Sequence, residues 1–137
     1  MRLNLISHST NIETLIATSM LTTTSGAQPS TLFERLKERP EKVNEVVGRV
    51  ELQHGNILEH NRLIWEIMAS EDELLQVLLN LKFFNVTKVQ KDKWLISGNL
   101  RSVVEYSNKY SDDFRDQIIK SIKDISPRIY EFIEGSK

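Results

Sequence analysis

The spacing of apolar positions changes several times along this chain, and each change marks an element. Residues 2–6 alternate weakly, as a short strand does. Ser9, Thr10 and Asn11 then offer N-caps to a helix over 12–21, with Ile12, Leu15, Ile16 and Ser19 on one face and Glu13 in the first turn. The run 22–30 is small and polar and reads as a loop, a linker in the first place and otherwise a segment whose hydroxyls could meet a ligand. Thr31 caps a helix over 32–39. Pro40 opens the next, through Val43, Val46, Val47, Val50 and Leu52, and Gly55 stops it.

Between Leu58 and Met68 the period falls to two. Leu63, Trp65 and Ile67 alternate with Arg62, Ile64 and Glu66, the pattern of a half-buried strand. Ser70 and Glu73 form a capping box ahead of an apolar helix over 74–81. Residues 83–89 and 94–97 read as two strands of a hairpin joined by the charged turn 90–93. Gly98 and Asn99 break that pattern and start a helix through Leu100, Val103, Val104 and Tyr106. Asp112 and Asp113 begin another that carries Ile118, Ile119, Ile122 and Ile125, and Pro127 starts a final turn through Ile129, Tyr130 and Ile133. The order predicts an α+β fold, a small antiparallel sheet packed with helices, in which helices predominate.

Length and composition narrow the class. A chain of 137 residues predicts one domain, 1–137, because two cores of half that size would each be starved of apolar area. With 39% hydrophobic and 27% charged residues it is neither a disordered polymer nor a rod. Lys+Arg 18 against Asp+Glu 19 leaves no basic surplus, so no nucleic-acid partner is expected, and any phosphate must be met by a few placed side chains. Cysteine is absent, which removes disulfides, thiolate metal sites and cysteine nucleophiles. The first residues lack the apolar run of a signal peptide, and no stretch approaches a membrane span, so a cytoplasmic protein is expected.

The chemical vocabulary is small. His8, His54 and His60 are the only histidines, and the spacing of the last two does not align imidazoles on one helix, so no metal is expected. His54 and His60, with Glu59 beside the second, stand at a helix-to-strand boundary where side chains can converge on a ligand. No nucleophile elbow, dinucleotide fingerprint or phosphate loop can be drawn. Asn99-Leu100-Arg101 follows Gly98 at a helix start, which leaves two readings open: an anion site with Arg101 as a forked contact, or an N-cap followed by a solvated arginine. Lys88, Lys91 and Lys93 read as the solvated side and tip of the hairpin.

Taken together, these segments resemble the flavin-dependent thymidylate synthases. The stretch His54-Gly55-Asn56-Ile57-Leu58-Glu59-His60, followed by the strand of Leu63 and Trp65, is similar to that family's His-x-Ser/Thr-x-x-Glu-His segment. Leu5-Ile6-Ser7-His8 and Leu15-Ile16-Ala17-Thr18 resemble its opening strand and first helix, and Ile96-Ser97-Gly98-Asn99-Leu100-Arg101-Ser102 resembles its Asn-x-Arg segment. The likeness covers residues 1–67 and about 95–110. It implies a homo-oligomer, dimer or tetramer, with sites between subunits. It further implies FAD as a possible cofactor and a chemistry in which a methylene group passes from a folate to deoxyuridylate. By position, His54, Asn56, Glu59, Asn99, Arg101 and Glu105 fall on the flavin side, and Lys82 and Tyr110 on the substrate side.

The departures are as informative as the matches. Asn56 stands for the usual Ser or Thr, Glu105 for an amide, Met20 for the first-helix arginine, and Tyr110 for a substrate-binding arginine; Thr22 keeps a hydroxyl where Ser or Cys is common. Where the Arg-His-Arg signature should lie the chain has Leu79-Asn80-Leu81-Lys82-Phe83-Phe84, and residues 83–97 form a hairpin in place of a longer insert. Fixed guanidinium groups that bind phosphate and stabilise developing charge are each worth about 3 kcal/mol in a transition state. One lysine does not replace three of them. The expectation is therefore a catalytically degenerate homologue that binds a nucleotide, flavin or folate, or serves as an accessory subunit of a full-length relative. The alternatives are an active synthase completed by a neighbouring chain, and a non-catalytic structural or interaction module.

Overall fold

The structure is a computed structural model that describes residues 1–50 and 55–135. Four strands, β1 (Arg2–His8), β2 (Arg62–Met68), β3 (Phe84–Gln90) and β4 (Lys93–Asn99), form one antiparallel sheet in the order β1-β2-β4-β3. The helices are α1 (Ile12–Thr22), α2 (Pro29–Lys37), α3 (Pro40–Val47), α4 (Gly55–Leu58), α5 (Glu71–Leu78), α6 (Leu100–Lys109), α7 (Asp113–Ile125) and α8 (Pro127–Gly135). The chain is an α+β fold with a small open sheet, as the patterning predicts.

Period two decides which face of the sheet is dry. Leu63, Trp65 and Ile67 of β2 and Ile96 of β4 are fully buried, while Arg62, Glu66 and Met68 point the other way and are exposed. Trp65 is pinned as well as buried, its Nε1 donating to Ser121 Oγ of α7 at 3.2 Å. Edge strand β1 is tied to the same helix. Leu3 N donates to Gln117 Oε1 at 2.7 Å, and Gln117 Nε2 donates to the Met1 carbonyl at 3.0 Å, so a side-chain amide satisfies part of the unpaired strand edge. The core continues into the helical layer through Ile16, Leu36, Val46, Phe114, Ile118, Ile122, Ile129 and Ile133.

Several boundaries differ from the reading of the sequence, each for a local reason. In α1 the buried residues are Ile12, Ile16, Ala17 and Thr18, not Leu15 and Ser19, because α2 and α3 both pack on this helix and turn its small residues inward. Helix α2 starts at Pro29, two residues before the expected Thr31 cap. Gln28 is the extended N-cap, and Pro29 supplies the fixed φ of a first helical position. Helix α3 ends at Val47, where Gly48 and the shorter-range bonds Arg49 N to Val46 O (3.0 Å) and Val50 N to Val47 O (3.1 Å) tighten its last turn. Leu52 lies outside the described residues, and Gly55 opens α4 rather than stopping a helix. Three hydroxyls of the 22–30 segment are used locally: Thr22, Thr23 and Thr24 donate to the carbonyls of Ser19, Met20 and Leu21, which closes the C-terminus of α1.

Other start signals act as the sequence suggests. Ser70 and Glu73 form a reciprocal capping box on α5, Asn99 and Asp112 cap α6 and α7 with their side chains, and Pro127 opens α8. Helix α5 nevertheless runs over 71–78 rather than 74–81, since a capping box places the first turn immediately after its serine. Gly98 belongs to β4, not to the helix that follows. A Cβ there would stand 2.7 Å from Cδ1 and Cε1 of Phe84, whose ring lies over it from β3. From that point rings continue toward α6: Phe84 meets Phe114 edge-on at 6.5 Å, Phe114 meets Tyr106 at 5.2 Å, and Tyr106 lies 4.7 Å from Tyr110.

Candidate functional site

Helix α6 and its two caps carry four of the residues expected to matter, Asn99, Arg101, Glu105 and Tyr110, and its two ends differ in character. At its start the Asn99 side-chain oxygen accepts from Ser102 N at 2.9 Å and from Ser102 Oγ at 3.2 Å. The Leu100 amide donates to the carbonyl of Asn61 at 2.8 Å. Two of the first-turn amides are thus already engaged, and of the two readings of this helix start the N-cap is the one observed. Asn61 is itself fully buried, and among the described residues its side-chain amide has no protein partner.

Arg101 is partly exposed and ion-paired. Its Nη1 pairs with Glu59, on the turn after α4, and its Nε donates to Glu105 Oε1 at 3.1 Å. Hydrogen bonds from those two carboxylates, Glu59 first, hold the guanidinium more firmly protonated than usual. Three residues assigned to the flavin side thus converge, but one cation with two carboxylates carries a formal charge of about −1. An incoming pyrophosphate would meet that charge at a helix start where two of the first-turn amides are engaged. As arranged, these residues do not suit a flavin's anionic linkage. Asn56 is exposed on α4, which packs against α6, and no side-chain hydrogen bond joins it to Glu59 or Arg101. His54 lies outside the described residues, and His60 is exposed.

The far half of α6 forms one wall of a cleft of about 260 Å³, lined by Asn80, Lys82, Ser102, Glu105, Tyr106, Lys109 and Tyr110. Lys82 and Tyr110, the two residues that the resemblance puts on the substrate side, both line it. Two lysines against one glutamate make the lining cationic by about one charge, and the glutamate is partly neutralised by Arg101. The apolar component is aromatic. The Tyr106 and Tyr110 rings lie 4.7 Å apart, tilted by 43°, and Lys109 Nζ sits 5.4 Å over the Tyr110 ring. The Tyr106 hydroxyl donates to Asp112 Oδ2 at 2.5 Å. Burial in the first place, then that carboxylate, pushes its pKa well above the ordinary phenol range, so it remains a neutral donor.

The sequence reading singles out Lys82, Glu105 and Tyr110 but not Asn80, Ser102, Tyr106 or Lys109, which share the cleft lining with them. The signal was present: Ser102, Glu105, Tyr106 and Lys109 stand three, four and seven positions apart, which is one helical face. A wider groove of about 700 Å³ runs past His8, Glu13, Lys37 and Asn44. Its central carboxylate is already used, since Glu13 Oε1 accepts from Arg128 N and Ser126 Oγ, both at 3.1 Å, and so caps α8. Of the hairpin lysines, Lys88 pairs with Glu71 and covers the Trp94 ring at 5.4 Å. Among the described residues no group of three or more His, Asp or Glu stands close enough to hold a metal, and no helix is long and apolar enough to cross a membrane. No family model matches the sequence, and no curated protein matches it.

Proposed function

We propose that the chain is a non-catalytic relative of the flavin-dependent thymidylate synthases that binds a nucleoside monophosphate in the α6 cleft and acts as an accessory or regulatory subunit, as an oligomer of itself or with a full-length relative. The observation that carries this reading is the meeting of Lys82 and Tyr110. They come from different parts of the chain, both sit at positions resembling the family's substrate contacts, and they line one cleft together with a second lysine and the Tyr106 ring beside Tyr110. Such a lining suits a ligand with a planar ring at one end and a phosphate at the other.

Two features support loss of catalysis. Among the described residues the cleft is lined by lysines and by no arginine, so developing negative charge on a uracil ring would meet flexible point charges instead of fixed forks. The flavin-side arginine is held by two carboxylates. Calorimetry with deoxyuridylate, an absorbance spectrum of the purified protein and a turnover assay with methylenetetrahydrofolate test the proposal together. Binding of the nucleotide by a colourless protein without thymidylate formation is expected. A yellow protein that turns over favours the synthase completed by a neighbouring chain, and absence of binding favours an interaction module.

A further inference from the structure

Among the described residues Arg115 is the one charged residue that the fold buries, with 5% of its side chain exposed. Its surroundings compensate that charge only in part. Nε donates to the Ser107 carbonyl at 2.6 Å, which satisfies an acceptor in the last turn of α6 and sets the cation at the negative end of that helix. Nη1 reaches Asp116 Oδ1 at 3.4 Å, a long contact to a carboxylate that is 72% exposed and therefore largely screened by water. A guanidinium taken out of water is costly unless close, well-directed ionic bonds replace its hydration. Neither of these two bonds uses Nη2. Arg115 also lines a cavity of about 230 Å³ between α7 and α8, together with Asp116, Lys120 and Lys123 of α7 and Tyr130 and Glu134 of α8. Three cations against two carboxylates leave that lining a surplus of one positive charge. Lys123 Nζ lies 5.4 Å over the Tyr130 ring, which draws its ammonium toward the α8 wall.

We infer that this cavity is a second ligand site, which takes a phosphate group, free or carried by a small phosphomonoester, with the Arg115 guanidinium as its buried contact and the Lys120 and Lys123 ammoniums as its exposed ones. The bond from Nε to Ser107 fixes the plane of the guanidinium, so its Nη groups are offered to an oxyanion in a set direction. A dianion there supplies the compensation that the exposed Asp116 gives only weakly. The cavity is smaller than the roughly 300 Å³ at which pockets for drug-sized molecules begin, which restricts it to a small ligand. It shares no lining residue with the α6 cleft, so the inference stands apart from the nucleotide reading of that cleft.

The test is calorimetry at constant ionic strength with inorganic phosphate and with glycerol phosphate, on the full chain carrying Lys82→Ala and Lys109→Ala so that the lysines of the α6 cleft do not contribute. Saturable binding is expected, and the tighter probe shows whether the group arrives free or as a monoester. Lys123→Ala added to that background is expected to weaken the tighter probe about tenfold, the loss of one charge-assisted hydrogen bond. Arg115→Lys, which keeps the charge and gives up the fork, is expected to weaken it at least as much. Bound probe should also raise the melting temperature of the background protein more than that of its Lys123→Ala derivative. Arg115 helps to hold α6 against α7, whereas Lys123 is exposed and its loss leaves the fold in place, so the lysine variant decides the matter if Arg115→Lys fails to fold. Absence of binding by both probes, or binding that Lys123→Ala leaves unchanged, overturns the site.

Discussion

Replacement of Gly98 by alanine is the perturbation whose effect the structure specifies most closely. The added methyl would stand 2.7 Å from two ring carbons of Phe84 and 3.2 Å from a third, about 1 Å short of ordinary contact. The ring cannot retreat freely, because it meets Phe114 at 6.5 Å and Phe114 meets Tyr106 at 5.2 Å. Either Phe84 swings outward and loses its edge contact, worth about 0.5–1.5 kcal/mol, or the row of rings shifts. Overpacking of this kind costs about 1–3 kcal/mol. For 137 residues the entropy of unfolding is about 0.3 kcal/mol/K, so a 2 kcal/mol loss lowers the melting temperature by about 7 °C. Thermal and urea unfolding of Gly98→Ala in wild-type and Phe84→Ala backgrounds form the test. Without the ring the methyl has room, and alanine is intrinsically better than glycine in a strand, so the substitution should become neutral or mildly stabilising. An equal penalty in both backgrounds would refute the account of Gly98 as a seat for Phe84.

Other expectations concern the cleft and the acid response. Lys82→Ala and Lys109→Ala should each weaken deoxyuridylate about tenfold, and titrations at rising salt should show a shallower dependence in each variant. Glu105→Gln should tighten the same nucleotide severalfold, because it removes the one carboxylate that lines the cleft among the described residues; weaker binding in calorimetry would contradict this. Ser70→Ala should cost about 1 kcal/mol in urea unfolding through loss of the α5 cap. The carboxyls of Glu71, bonded chiefly to Lys88, and of Glu73, bonded chiefly to the Met1 amine and Ser70, are held below the usual range. A depressed folded-state pKa gives stability that is present above the unfolded value of about 4.3 and lost as pH falls through the folded one. The double variant Glu71→Gln, Glu73→Gln should accordingly show a flatter loss of urea midpoint below about pH 4.3 than wild type.

Elements whose signals are local were legible in the sequence. The alternation around Trp65, the Ser70–Glu73 box and the caps at Asn99 and Asp112 each depend on residues within one turn or one pleat, and each element formed where that chemistry places it. What was not legible depends on packing between distant segments. Nothing near residue 98 announces that Phe84 needs its space, and the inward turn of Ala17 and Thr18 follows from two helices packing on α1. The candidate site divides in the same way. Lys82 and Tyr110 came from a resemblance to positions in a family, but their shared cleft required the fold. Arg101 stands at a helix start as its place in the sequence indicates, while its pairing with Glu59 depends on a contact between α6 and a turn far away in the chain.

The most direct test of the central claim is titration of deoxyuridylate into the purified protein by calorimetry, with thymidylate formation assayed on the same sample. The account predicts saturable binding that Lys82→Ala weakens, with no thymidylate formed when methylenetetrahydrofolate, FAD and a reductant are supplied. Thymidylate formation by the chain alone, or binding that Lys82→Ala leaves unchanged, would contradict it.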